Sequence, residues 1–353
     1  MPALPGAAVR PEPIANPELH EDDLFVLMLS LTNGCNLACT HCYREESAAF
    51  NDELEPFEVV RVLGEFGALA LAERRRGVVV FSGGEPLLAR HLGLFARSAS
   101  GLDLGVRINT NATLATPAVA RGLAAWGIRH AQVSLDGPSP AQHEGIRGPG
   151  TWHLMRRGVR NLRGAGVEVV LKVTLMPGRN DRDPGGYLRV ARAWGVRTVS
   201  FARAIPLGAG AGLGSYEPDQ YRHVLEALSS ARVPGVAAEV RDATFDRSLL
   251  TGLPQQYRGE EGRVILAVDA DGTCYGSRRM PLRLGNVRET PLSELWRHPT
   301  LQTIRTGELG GKCATCELRP ECRGGSRSAA WAATGDPLAP DPACWVEFPG
   351  GDA

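Results

Sequence analysis

Lysine is almost missing from this chain: of its 39 basic residues, only Lys172 and Lys312 are lysine. With an excess of Ala, Gly and Arg, this reads as a GC-rich coding bias and not as a function. A charge surplus is missing as well, because 39 acidic residues balance the 39 basic ones. That argues against a general nucleic-acid binder, which carries a basic excess. No apolar run approaches the roughly 20 residues of a membrane span. The longest strand-like run, residues 24–31, is far too short. A signal peptide is lacking too: residues 1–17 carry five prolines, Arg10 and Glu12 in place of a basic start and an apolar middle. The chain is therefore expected to be cytoplasmic, with no membrane and no nucleic-acid partner, and residues 1–21 to form a flexible arm.

What is present is a folding composition. The 353 residues are 43% apolar and 22% charged, enough for one large domain or two ordinary ones. Strand-like runs at 24–31, 77–81, 104–109, 130–135, 168–175 and 198–202 alternate with helix-like runs at 56–74, 89–100, 117–126, 152–164, 184–194 and 218–231. Several helices open at a proline, which suits the first helical turn. Repeated βα units favour a parallel sheet, either open and doubly wound or curved into part of a barrel. Strand alternation favours the barrel. Lys172 and Thr174 share one face of their strand; so do Arg107, Asn109 and Asn111, and Gln132, Ser134 and Asp136. A strand covered by helices on both sides is apolar on both, so polar faces near the strand ends suggest a ligand-bearing lumen. The expectation is an α/β fold: a partial (β/α)6 TIM-like barrel over 22–235, a connector over 236–262, a small cysteine-rich C-terminal unit over 263–346 and a tail over 347–353. Glu53, Glu55, Arg74, Arg75 and Arg76 read as solvated helix faces.

No cysteine lies between Cys42 and Cys274. Three sit at the end of the first strand, as Cys35-X3-Cys39-X2-Cys42, and four near the C-terminus, as Cys313-X2-Cys316-X5-Cys322 and then Cys344. Without a secretion signal, disulfides are the weaker reading. Thiolates at short spacing suit a metal centre. Three thiolates on one loop hold three corners of a 4Fe-4S cube and leave one iron open to a small chelating ligand. Zinc is the rival, with His41 as a fourth ligand in the first cluster and with four cysteines in the second.

The first cluster resembles the signature of the radical S-adenosylmethionine (SAM) enzymes. Ser82-Gly83-Gly84-Glu85-Pro86 resembles that family's glycine–glycine–glutamate motif, and Thr110-Asn111-Ala112-Thr113-Leu114, Ser134-Leu135-Asp136-Gly137-Pro138 and the stretch from His143 to Gly148 are similar to family segments. The resemblance implies that Cys35, Cys39 and Cys42 hold a SAM-binding 4Fe-4S cluster and that Gly83, Gly84 and Glu85 bind the SAM amino group. It makes Asn109, Ser134 and Arg147 further SAM contacts and puts His41 beside the adenine. Gly285-Asn286-Val287-Arg288, Leu295-Trp296, Arg323-Gly324-Gly325 and Thr334-Gly335-Asp336 resemble a SPASM domain, a C-terminal extension with auxiliary clusters. Cys313, Cys316, Cys322 and Cys344 match the family's second auxiliary cluster. Its first auxiliary cluster lacks its cysteines here: Ser277 and Ser326 stand at two of the expected positions, and no partner occurs around residues 256–262. One auxiliary 4Fe-4S cluster is therefore expected, with Cys274 left over as a small buried residue.

The resemblance implies reductive SAM cleavage to a 5′-deoxyadenosyl radical that takes hydrogen from a substrate. A ribosomally made peptide, crosslinked or oxidised, is the main expectation. It brings an electron donor such as flavodoxin or ferredoxin and, with only a short arm before the barrel, a separate leader-peptide recognition protein. The alternative is tailoring of a haem precursor or other small molecule, with Arg107, Lys172, Arg179 and Arg203 forming a basic pocket. A non-catalytic metal scaffold is the remote reading. Lys172, Arg203, Asp271 and Tyr275 are the weak candidates for catalysis.

Overall fold

The computed structural model describes residues 24–44, 52–241 and 261–346. The expected arm, the tail and most of the connector lie outside the described residues. Six strands follow the expected alternation: β1 (Leu24–Ser30), β2 (Arg76–Ser82), β3 (Gly105–Thr110), β4 (His130–Ser134), β5 (Glu168–Leu175) and β6 (Thr198–Arg203). Between and after them run α1 (Pro56–Ala72), α2 (Leu92–Gly101), α3 (Pro117–Ala125), α4 (Pro140–Arg147), α5 (Thr151–Gly164), α6 (Pro184–Ala193) and α7 (Pro218–Ser230). Proline stands in the first turn of α1, α3, α4, α6 and α7, where its missing N–H costs nothing. Glu55 and Glu58 close a reciprocal capping box on α1.

All neighbours from β1 to β6 pair in parallel, as βα units demand. In β3, β4 and β5 the buried residues alternate with half-buried Arg107, Asn109, Gln132, Ser134, Lys172 and Thr174. The apolar face packs under the helices and the polar face lines the inside of the curve, which is the partial-barrel arrangement. β6 departs from this, for all six of its residues are buried, Ser200 and Arg203 among them.

Among the elements with too little local signal to be read are α4 and β7 (Ala237–Val240). α4 is short and polar, and it sits between Gly137-Pro138 and Gly148-Pro149, which mask it as a loop. β7 pairs in parallel with β6, in sequence that reads as connector. The C-terminal unit is continuous with the barrel. Strands β8 (Ile265–Val268), β9 (Thr273–Ser277) and β10 (Met280–Asn286) extend the same sheet, with β8 parallel to β1, to the order β10-β9-β8-β1-β2-β3-β4-β5-β6-β7. One apolar core runs through both parts: Phe25 of β1 packs on Phe66 and, 4.5 Å between ring centroids, on Trp296.

Candidate functional site

The loop after β1 carries Cys35, Cys39 and Cys42, all free thiols, the first exposed and the others half-buried. Its course is held at four points. Thr40 N–H donates to Ile146 O at the end of α4, and Gly210 N–H donates to Cys42 O. Thr32 Oγ1 and Asn33 N–H both donate to Glu53 Oε1, at 2.8 and 2.7 Å. Glu53 is therefore a loop anchor, a correction to its reading as a solvated face. Burial pushes the Cys39 thiol up to about 11 against the pull of Arg147. A thiol so placed becomes a thiolate when a metal compensates the charge.

Gly83 and Gly84 directly follow β2, in contact with this loop. Gly84 N–H donates to Thr32 O at 2.8 Å and Glu85 N–H to Gly34 O at 2.7 Å. Gly83 has φ +128°, and a Cβ on Gly84 would lie 2.0 Å from Gly34 O, so only glycine permits the approach. Glu85 is 1% exposed. Its Oε1 accepts from Thr110 Oγ1 (2.6 Å) and Leu87 N–H (3.1 Å), its Oε2 from Asn111 N–H (2.8 Å). Burial pushes its carboxyl up, and these three bonds pull it back. The structure thus gives Glu85 the work of tying the β2 end to the β3 end. Asn109 and Ser134 lie half-buried on the polar faces of β3 and β4.

Asp136, just past β4, is fully buried and was not singled out from the sequence. Its Oδ2 accepts from Arg147 Nε at 2.5 Å and lies 3.3 Å from His41 Nε2; its Oδ1 accepts from Thr174 N–H at 3.0 Å. Burial alone would push the Asp136 carboxyl up, but Arg147, His41 and the Thr174 N–H hold it below its ordinary range. Arg147 in turn sets Nη1 at 3.7 Å from Cys39 Sγ. His41 Nδ1 is buried with no partner, and His143, 1% exposed, accepts from Asp136 N–H and packs edge-on against Trp152. The visible signal for Asp136 was its shared strand face with Gln132 and Ser134.

Cys313 is buried, while Cys316, Cys322 and Cys344 are half-buried, and all four are free thiols. Lys312 Nζ donates to Cys344 O at 2.6 Å, which brings the last cysteine's segment to the first. Cys274 lies fully buried in the core, its thiol pushed up to about 12 by burial. Among the described residues, no group of three or more Cys, His, Asp or Glu side chains is arranged around a single metal ion. The fit of iron rests on the donors: free thiols in two clusters, one with a guanidinium beside its sulfur.

The weak catalytic candidates do not assemble. Lys172 faces the lumen and donates to Ser200 Oγ at 3.3 Å. Asp271 is spent on its own hairpin, accepting from Thr273 N–H and Oγ1. Tyr275 is half-buried on β9 with the Arg278 guanidinium 5.6 Å from its ring. Arg203 is 4% exposed and gives both terminal nitrogens to Asp341, so it corrects the expectation of a substrate contact. Arg179 is exposed outside the lumen set.

A sequence model of the Radical SAM superfamily matches residues 29–191, and one of the SPASM iron-sulfur cluster-binding domain matches residues 260–317. The AdoMet-dependent heme synthase of Nitratidesulfovibrio vulgaris is 30% identical over 352 residues, which cover 89% of this chain and 90% of that protein. Mycofactocin maturase MftC of Mycolicibacterium smegmatis is 28% identical over 337 residues, covering 92% and 83%. The crystal structure of Streptococcus suis SuiB bound to precursor peptide SuiA shares the fold with a TM-score of 0.73 at 14% identity, over 92% of this chain and 76% of that one.

Proposed function

Because this chain belongs to the radical SAM superfamily, in its SPASM-domain subgroup, we propose that its substrate is a ribosomally made peptide whose side chain it crosslinks or oxidises. The protein is an enzyme, with SAM and a 4Fe-4S cluster as cofactors and an iron-sulfur cluster-binding domain at its C-terminal side. When bound, these groups supply a 5′-deoxyadenosyl radical that takes a hydrogen atom from the substrate.

This chain's own residues do the rest. Cys35, Cys39 and Cys42 would hold the SAM-binding cluster, and Cys313, Cys316, Cys322 and Cys344 one auxiliary cluster. Gly83 and Gly84 bring backbone close to the cysteine loop, and Asp136 holds Arg147 against Cys39 and His41 beside it. Asn109 and Ser134 present neutral polar groups to the lumen.

The observation that carries the peptide reading is the loss of Arg203 to Asp341. A tetrapyrrole with several carboxylates needs a basic set, and only Arg107 and Lys172 of the expected four remain on the lumen face. Relatives named for a precursor peptide and for mycofactocin maturation support it. The 30% identity to a heme synthase favours the second reading, a haem precursor. A flavodoxin or ferredoxin donor and a separate leader-recognition protein complete the proposal.

Anaerobic reconstitution is expected to give about eight iron and eight sulfide per chain, because each 4Fe-4S cube holds four of each. About four iron with one zinc would remove the auxiliary cluster. The reconstituted enzyme, given reductant, SAM and any short peptide found encoded beside its gene, is expected to return a peptide short of two hydrogens by mass spectrometry. Turnover of an iron porphyrin precursor with no change to the peptide would replace the peptide reading.

A further inference from the structure

Ser277 and Ser326 occupy positions where a first auxiliary cluster would have cysteine ligands, and both serines are committed elsewhere. Ser277 is 7% exposed and its Oγ accepts from Arg279 N–H. Ser326 is 1% exposed and its Oγ caps the helix Arg327–Thr334 by accepting from Ala329 N–H. A continuous polar chain joins the two positions. Arg279 Nη2 donates to Arg203 O at 3.0 Å. The Arg203 guanidinium pairs with both Asp341 oxygens, Nη1 to Oδ1 at 2.9 Å. Asp341 Oδ2 also accepts from Ser326 N–H at 2.8 Å, and Oδ1 from Ala343 N–H at 3.0 Å. Asp341 O accepts from Cys344 N–H at 3.0 Å. The Arg203 guanidinium lies 4.7 Å from the Tyr221 ring centroid, and Tyr221 packs edge-on against Trp345.

We propose that the buried Arg203–Asp341 pair positions Cys344 for the auxiliary cluster. Each partner contributes a distinct piece. Arg203 ends β6, so it is fixed by the barrel sheet. Asp341 accepts from the backbone of Ser326, Ala343 and Cys344, so it holds the segment leading into the fourth thiolate. The pair therefore clamps the C-terminal end of β6 to the segment that carries Cys344. Its side chains are 3% and 2% exposed, so water does not compete for the bonds.

The inference rests on the reading that the four C-terminal cysteines hold a cluster. Its test is the double variant Arg203→Met with Asp341→Leu, which removes both charges together and leaves no unpaired buried ion. Reconstituted beside the wild type, it is expected to fold cooperatively by circular dichroism, to bind about four iron in place of about eight, and to keep the SAM-induced change in the electron paramagnetic resonance signal of the first cluster. The single variant Asp341→Glu, which keeps both charges, is expected to bind more iron than the double variant. A wild type with eight iron and a double variant with eight would overturn the inference alone. Loss of both clusters in the double variant would also overturn it, since the pair would then serve folding and not Cys344. A wild type with four iron would overturn the auxiliary-cluster reading and this inference with it.

Discussion

Asp136→Ala is expected to reduce SAM cleavage by about two orders of magnitude or more and to lower stability by about 3–5 kcal/mol, the cost of leaving a buried charge uncompensated. The side chain has no exposed surface and faces Arg147, His41 and the Thr174 N–H together. Its removal strands the Arg147 guanidinium, which is 11% exposed, without its acceptor. The same guanidinium lies 3.7 Å from Cys39 Sγ, so the loss reaches the proposed cluster ligand directly. Thermal melting and 5′-deoxyadenosine production measure the two parts separately. Asp136→Asn keeps the shape and an acceptor for Thr174 N–H, so it should recover stability more than cleavage. Cleavage within tenfold of wild type in Asp136→Ala would remove Asp136 from the site.

Gly84→Ala is expected to have a comparable effect by another route. The added Cβ would lie 2.0 Å from Gly34 O and 2.4 Å from Gly34 C, both backbone atoms that no rotamer change can move. Gly34 directly precedes Cys35, so the clash displaces the loop that carries the first thiolates. Overpacking of this kind costs about 1–3 kcal/mol, and misplacement of about 1 Å at a reacting centre costs about a hundredfold in rate. The expected result is loss of iron from the first cluster with the auxiliary iron retained, the opposite of the pattern expected for the Arg203 and Asp341 pair. Gly145→Ala is the control. It lies in α4 with nothing within 4 Å of its added Cβ, and it should leave iron content and cleavage unchanged. Equal effects at the two glycines would refute the steric argument.

Several elements were legible because their signals are local. β5 has the bounds that alternation implies, and α1, α3, α6 and α7 open at prolines visible in the sequence. The lumen face of β3 to β5 follows from period two alone. α4 and β7 were not legible for the same reason: α4 lacks an apolar stripe, and β7 is a four-residue strand defined by its pairing with β6. The extension of the sheet by β8 had no sequence signal either, because its partner β1 lies over 230 residues away.

The site divides along the same line. The sequence by itself determined how the thiols group along the chain, three within eight residues and four near the C-terminus, and which strand ends carry glycine. It also determined that the chain has too few cysteines for a second auxiliary cluster. Only the tertiary structure decided what the charged residues do. Asp136 meets Arg147 and His41, Glu53 meets Thr32 and Asn33, and Arg203 meets Asp341 across 138 positions. A carboxylate or guanidinium has no period and no spacing that reveals its partner. Its role follows from which charge lies beside it once water has been excluded, and that is settled by packing.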